Sequence, residues 1–376
     1  MQREYEAGNN RIKVGVVGVG KMGLSHLAII RALDGVEVVG MVDANDYVLD
    51  VLTKYTGMPG FSSLTELLSQ TRPDAILIAT PSGSHSALVR EALEGGAHVF
   101  CEKPLTLDAH ESQELAALAA ERQRIAQVGY HNRFVASFRR VKQLLDDGAI
   151  GTVTHIHAEA YGPVVLAPKG STWRTRRDTG GGCLYDYAAH PLNLLTWYLG
   201  EPTNVRGTVL NSIFSRTTDD EVYSTFDYAD GVSAQLSVNW SDESFRKMTT
   251  MVTATGTGGR IEADRQECRV YLRGDQPAID GLRKGWNVAY TTELTEPVSF
   301  YLRGEEYSAQ LESFVQAVRE GRTSASENGF LSAAATDALI DRMIADAGAQ
   351  SQNAPDRRQP TAPRARRRTL NLWRRS

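Results

Sequence analysis

The sequence predicts an α/β domain built on a parallel sheet, followed by an α+β domain with an open, mostly antiparallel sheet. Three observations carry this expectation. Residues 11–130 alternate short apolar runs with helical stretches, a glycine cluster separates the first run from the first helix, and beyond about residue 150 the runs change to strict two-residue alternation. Continuous apolar strands separated by helices belong to a sheet covered on both faces, whereas alternation marks a strand that buries only one face.

The strands of the first domain are expected at "IKVGVVG" (12–18), "VEVVGMVD" (36–43), "DAILIAT" (74–80), "AHVFCEKP" (97–104) and "RIAQVGY" (124–130). Between them, "KMGLSHLAIIRAL", "SLTELLSQT", "SALVREALEGG" and "LDAHESQELAALAAERQ" repeat apolar residues three or four apart, the helical spacing. In "GVSAQLSVNW" (231–240) Val232, Ala234, Leu236, Val238 and Trp240 share one face, and Ser233, Gln235, Ser237 and Asn239 share the other. Similar strands are expected at 152–161, 203–213, 220–228, 247–255 and 268–273, with amphipathic helices at 304–320 and 329–347. The boundaries follow as 1–130, 131–350 and a tail, 351–376.

A chain of 376 residues suits two cores better than one. Cys101, Cys183 and Cys268 are far apart and odd in number, which argues against a disulfide framework or a zinc site and fits a reducing cytoplasm. The opening "MQREYEAGNN" has no apolar core and no run approaches a membrane span, so a cytoplasmic location is expected. The tail holds eight arginines and one aspartate and contributes +7 to a net charge of −4, leaving the body near −11. An acidic body excludes nucleic-acid binding as the main activity, and the Pro- and Arg-rich tail reads as a disordered, solvated extension.

In "KVGVVGVGKMG", Gly18, Gly20 and Gly23 form G-x-G-x-x-G after a strand and at a helix start, with Lys21 and Met22 opening that helix. This context is that of a Rossmann dinucleotide site: the first glycine permits the tight turn, the second a close approach of backbone to pyrophosphate, the third close packing of helix on strand. The helix start offers free N–H groups to the phosphates. Asp43 ends the second strand, where a carboxylate accepts from the ribose hydroxyls of NAD and repels the 2′-phosphate of NADP. NAD is the expected cofactor, in preference to NADP.

"GGGCLYDYAAHPLNLLTWYLG" (180–200) reads as a helix from Leu184, with Asp186 and His190 one turn apart on one face. By itself such a pair is open to a structural or a chemical reading. "FCEKP" (100–104), followed much later by G-G-G-x-L-x-D-x-x-x-H, resembles the family of glucose–fructose oxidoreductase, inositol dehydrogenase and MocA, as do "TPSGSH" (80–85), "GYHNRF" (129–134) and "WR" (173–174). The resemblance spans roughly 11–347. It implies a second domain whose sheet face helps form a substrate cleft, and a catalytic set of Lys103, Asp186 and His190. It further implies oxidation of a secondary hydroxyl of a sugar, cyclitol or nucleotide sugar, and packing into homodimers or homotetramers. Thr80, Pro81, His85 and Glu102 are expected beside the cofactor with Lys103, and Tyr130, His131, Trp173 and Arg174 beside the substrate. The chain departs from the family's pattern at Ala188, Asn193 and His131. Two other readings accompany the resemblance: a non-catalytic NAD(P)-sensing regulator, and a redox-assisted NAD-dependent glycosidase.

Of the chemistry in reach, an imidazole suits removal of an alcohol proton near neutral pH, which makes His190 the expected general base. Lys103 would stabilise negative charge growing on the same oxygen. Asp186 either binds a substrate hydroxyl or orients Lys103 or His190. Arg174, Arg176 and Arg177 are either an anion clamp or a solvated loop. His155, His157 and Glu159 alternate along one strand face, but no metal is expected.

Overall fold

The computed structural model describes residues 11–166, 173–274, 281–322 and 328–353. Its first sheet holds β1 (Ile12–Val17), β2 (Val36–Val42), β3 (Gly60–Phe61), β4 (Ala75–Ile78), β5 (His98–Cys101) and β6 (Ala126–Val128) in the order β3-β2-β1-β4-β5-β6, every pair parallel. Helices α1 (Lys21–Ala32), α2 (Asp46–Thr56), α3 (Leu64–Thr71), α4 (His85–Glu94) and α5 (Ala109–Glu121) make the crossovers. Val14, Val16, Ile76, Leu77, Val99 and Phe100 are fully buried, as continuous apolar strands between two helical layers require. The strand order reverses between β1 and β4, so the crevice for a ligand opens at their C-terminal ends. β3 and α2 lack a strong apolar signal and escape the sequence pattern. Their folding rests on local chemistry: the Asn45 side chain accepts from Val48 N, and Gly57 ends α2 with φ 70°.

Helix α6 (Ala136–Asp146) leads into the second domain. Its sheet runs β14-β13-β12-β11-β7-β10-β9-β8, with β7 (Val153–Tyr161), β8 (Asn204–Asn211), β9 (Glu221–Asp227), β10 (Ser233–Asn239), β11 (Thr249–Gly256), β12 (Gly259–Ala263), β13 (Glu267–Leu272) and β14 (Gly285–Tyr290). Only β7 and β10 pair in parallel. The alternation in β10 holds, since Ala234, Leu236, Val238 and Trp240 are buried. The short "GRIEA" and "GWNVAY" that make β12 and β14 are strands the pattern does not predict; each rests on pairing with its neighbour, β13.

Helix α7 (Ala189–Leu199) covers the buried face. After the short α8 (Thr291–Leu294), α9 (Glu305–Glu320) and α10 (Phe330–Asn353) return to the first domain. Leu311, Phe314, Val315 and Val318 of α9 share a core with Ile12, Val14, Ile29 and Phe100. Helix α10 packs on both α5 and β8, tying the two sheets together. It runs to Asn353, three residues into the expected tail, and residues 354–376 of that tail lie outside the described residues. Among the described residues no helix is long and apolar enough to cross a membrane.

Candidate functional site

The glycine cluster has the shape its spacing predicts. Gly18 sits at φ 86°, a conformation that side chains disfavour, and a Cβ on Gly23 would lie 1.8 Å from the Gly18 carbonyl oxygen. A Cβ on Gly20 would meet nothing within 4 Å, so the chain there borders open space. No side chain caps the start of α1, which leaves the first N–H groups of the helix, beside Lys21 and Met22, free for an anion. Asp43 turns one carboxylate oxygen to Val19 N (2.7 Å) and the other to Asn45 N (2.8 Å), holding the loop closed from the second strand. Thr80 and Pro81 follow β4, and the Thr80 methyl lies 2.9 Å from the place of a Gly18 Cβ. The loop therefore fits a dinucleotide, with open backbone that would take phosphates and the Asp43 carboxylate that would take a ribose.

His85 does not join that surface. It is buried between two main-chain carbonyls, with Nδ1 2.8 Å from Pro104 O and Nε2 3.0 Å from Thr80 O, and whichever nitrogen carries the proton donates to one of them. The expected cofactor contact is thus corrected to a tie between two loops. Burial holds its pKa below the ordinary imidazole range despite those carbonyls. The Pro104 loop it supports contains the cis peptide Lys103–Pro104. Glu102 is likewise committed to protein: His26 Nε2 lies 2.6 Å from its Oε1 and Lys103 N donates to its Oε2 at 3.2 Å. Burial, the largest single influence, works against this carboxylate, but the bond and charge of His26 together with the charge of Lys103 outweigh it, so its pKa falls.

Lys103 leaves the end of β5 and crosses to the glycine-rich helix start. Its Nζ donates to Asp186 O at 2.9 Å and to Asp186 Oδ1 at 3.3 Å. The first turn there, Leu184–Ala188, is a π-helix rather than the regular helix expected. In that pattern the donor for Asp186 O would be Pro191, which has no N–H, and Lys103 supplies the missing donor. Gly181 and Gly182 permit the approach. A Cβ on Gly181 would lie 2.5 Å from Arg174 O, and Gly182 has φ 111° with Asp219 against it. Asp219 in turn accepts from Leu184 N at 2.6 Å.

Arg174, from the turn Trp173–Thr175, donates to Asp186 Oδ2 at 2.8 Å and lies over the Trp173 ring. Asp186 is therefore shared between Lys103 and Arg174. Arg176 pairs with Asp178, and Arg177 lies 3.6 Å from Asp219. All three arginines face carboxylates of the protein itself. His190 is 4% exposed, and its pKa is held well below the ordinary range by burial, with Lys103 and Arg265 adding to the effect. At neutral pH the ring is uncharged.

Tyr130 and His131, expected to face substrate, are 1% and 5% exposed and pack against His190 instead. Tyr130 meets the His190 ring edge-on at 6.2 Å, and His131 meets it at 4.7 Å. Tyr307 stacks on the far side of His131 at 4.7 Å. Asn193 joins Arg133 (2.8 Å) and Thr336 (3.0 Å), so this departure from the family's pattern serves packing. His155 and His157 bond Ser233 and Ser237, and among the described residues no group of His, Cys, Asp and Glu is arranged to hold a metal ion. His26, Arg265 and Tyr307 are missed by sequence reasoning. His26 lies on an apolar helix face like any core residue, and the other two reach the site from 160 or more positions past Lys103.

Comparison with known proteins agrees with this architecture. Residues 12–130 match the oxidoreductase family with an NAD-binding Rossmann fold, and residues 138–262 match the GFO/IDH/MocA C-terminal domain. The rhizopine catabolism protein MocA of Rhizobium meliloti is 28% identical, covering 90% of this chain and 95% of its own. An inositol 2-dehydrogenase of Leifsonia xyli subsp. xyli is 28% identical, covering 92% and 94%. A levoglucosan dehydrogenase in complex with NADH and levoglucosan shares the fold, with TM-score 0.79 and 21% identity over 90% of this chain and 98% of that one. Glycine cradle, lysine-bearing strand end and Asp–His helix start thus meet in a member of the Gfo/Idh/MocA family of NAD-binding oxidoreductases.

Proposed function

We propose that the protein moves hydride between NAD and a secondary hydroxyl or keto group of a sugar, cyclitol or nucleotide sugar. The observation that carries this reading is Lys103 Nζ at the C-terminal end of the parallel sheet, bonded to Asp186 and acting on an uncharged His190. When bound, the nicotinamide supplies the hydride acceptor. His190 takes the hydroxyl proton as a neutral base. Lys103 donates a hydrogen bond to the same oxygen and stabilises the negative charge that develops there. Asp186 holds Lys103 and Arg174 in place and accepts from a neighbouring substrate hydroxyl, which favours a polyol over a simple alcohol. The names of the two relatives above, inositol and rhizopine proteins, support that class.

On the same reading residues 1–130 bind cofactor and 131–350 bind substrate and build a homodimer or homotetramer through the polar face of β10. A cytoplasmic location is in keeping with three buried free cysteines. The test is a screen of sugars, cyclitols and nucleotide sugars with NAD or NADP, followed by absorbance of the reduced cofactor. Accumulation of NADH with at least one polyol is expected, with NADP the poorer cofactor because Asp43 repels its phosphate. Release of a sugar without net NADH would replace this reading by the redox-assisted glycosidase. Tight NADH binding without turnover of any compound would replace it by the sensor.

A further inference from the structure

The His190 ring has one nitrogen, Nδ1, that is buried and without a hydrogen-bond partner, and the adjacent His131 has another, Nε2. Two orphaned imidazole nitrogens on rings in contact are uncommon, because a buried polar atom without a partner has given up its hydrogen bonds to water with nothing in return. The rings stand 4.7 Å apart between centroids at 64°, edge to face. His131 is itself pinned on its other side by the Tyr307 ring, stacked at 4.7 Å and 21°. Tyr307 is held by Arg303, whose guanidinium lies 5.3 Å from its ring centre.

A neutral histidine base must keep the proton on the nitrogen turned away from substrate, and the bond made by that nitrogen decides which tautomer is present. In serine proteases a buried carboxylate takes this part. Here the nearby carboxylates are committed elsewhere: Asp186 to Lys103 and Arg174, Glu102 to His26, Glu306 to Arg265. Tyr130 stands edge-on to His190 at 6.2 Å. The Tyr130 hydroxyl is likewise buried without a partner, but His131 is the nearer ring at 4.7 Å, and its unpartnered Nε2 is the favoured acceptor.

We propose that His131 is a positioning residue whose Nε2 accepts a hydrogen bond from His190 Nδ1–H in the working enzyme, fixing the tautomer that leaves His190 Nε2 free as the base. The bond requires the two rings to turn from their present edge-to-face arrangement so that the two nitrogens face each other. The electrostatics agree, since burial and the positive charges of Lys103 and Arg265 keep both rings uncharged, as a neutral donor and a neutral acceptor require. The inference rests on the proposed role of His190 as base, and its primary test does not depend on turnover.

That test is a histidine-selective ¹⁵N spectrum of the full chain with NADH at neutral pH, the signals assigned with His131→Phe and His190→Gln. The expected result is His190 protonated at Nδ1 and His131 unprotonated at Nε2. In His131→Phe the His190 ring becomes a mixture of tautomers, and kcat on the polyol found by the screen falls roughly 10- to 100-fold, part of the 10²–10⁴ a general base contributes. His131→Asn, which keeps a carbonyl acceptor, restores both the tautomer and most of kcat. A wild-type spectrum with His131 protonated at Nε2, or a His190 tautomer unchanged in a folded His131→Phe, would overturn the proposal. Should His131→Phe fail to fold, the wild-type spectrum alone decides. Full activity of His190→Gln would instead overturn the role of His190 as base, leaving the tautomer result standing.

Discussion

In the first domain the candidate cofactor site is made of main chain, whereas the candidate chemical site is made of side chains from distant elements. Gly18, Gly20 and Gly23 act by what they lack, and their positions lie within six residues of one another. Lys103, Asp186 with His190, Arg174 and His131 come from four separate stretches of chain, and the contacts that hold them are not revealed by chain order. At Gly18 and Gly23 the backbone site has no room for an added atom. A side-chain site tolerates replacement at the level of fold but loses its chemistry one group at a time. The two halves should therefore fail differently.

The largest expected effect tests the second half. Lys103→Ala removes the donor to Asp186 and the charge beside His190, and should lower kcat by about 10²–10⁴ while NADH affinity changes little. A parallel loss of NADH affinity, read by fluorescence titration, would mean that the two halves are not separable. The next effect tests the first half. In Gly23→Ala the new methyl meets the Gly18 carbonyl oxygen at 1.8 Å, and the strain of forcing it in is of the order of 1–3 kcal/mol. NADH binding should weaken about 5- to 150-fold, or melting should fall by several degrees. An unchanged affinity and melting temperature would show that α1 can retreat from the loop.

The smallest effect concerns the joint between the halves. Asp337 of α10 is buried and accepts from Ser112 (2.7 Å) and from Thr106 N (3.4 Å), beside the loop that carries Lys103. Burial raises its pKa to about 7, outweighing those hydrogen bonds. A folded-state pKa above the unfolded one favours the protonated form, so this contribution to stability is complete below about pH 4 and is lost as pH rises towards 7. Asp337→Asn keeps a neutral side chain at every pH. Relative to wild type its melting temperature should gain about 2–4 °C between pH 4 and pH 8, a comparison in which the buried histidines cancel. A constant difference across that range would show that Asp337 stays ionised.

The first sheet was legible in the sequence because its strands are apolar throughout and its turns are marked by glycine. Five of its six strands and four of its five helices carry that signal, and β3 with α2 does not, since a two-residue strand has no period. In the second domain β10 was legible by alternation, whereas β12 and β14 borrow their order from β13. The pair Asp186–His190 was visible as spacing. Its meaning was not, because the π turn, the donor from Lys103 and the covering His131–Tyr307 stack depend on contacts between remote segments. Tyr130, His131 and His85 lie near this pair or the loop that carries Lys103, with their side chains turned to protein. A motif fixes a residue's place on the chain more firmly than the direction in which it points.

By itself the sequence determined the α/β and α+β halves, the glycine cradle with Asp43 at its edge, and the residue types for proton transfer. These follow from local rules, namely side-chain period, the backbone freedom of glycine and the basicity of imidazole. Only the tertiary structure decided that Asp186 divides its carboxylate between Lys103 and Arg174. It also decided that His85 braces two loops and that His190 stands uncharged against His131. Burial and hydrogen-bond partners are set by segments far apart in the chain, as Tyr307 against His131 and Asp337 against Thr106 illustrate, and no local pattern encodes them.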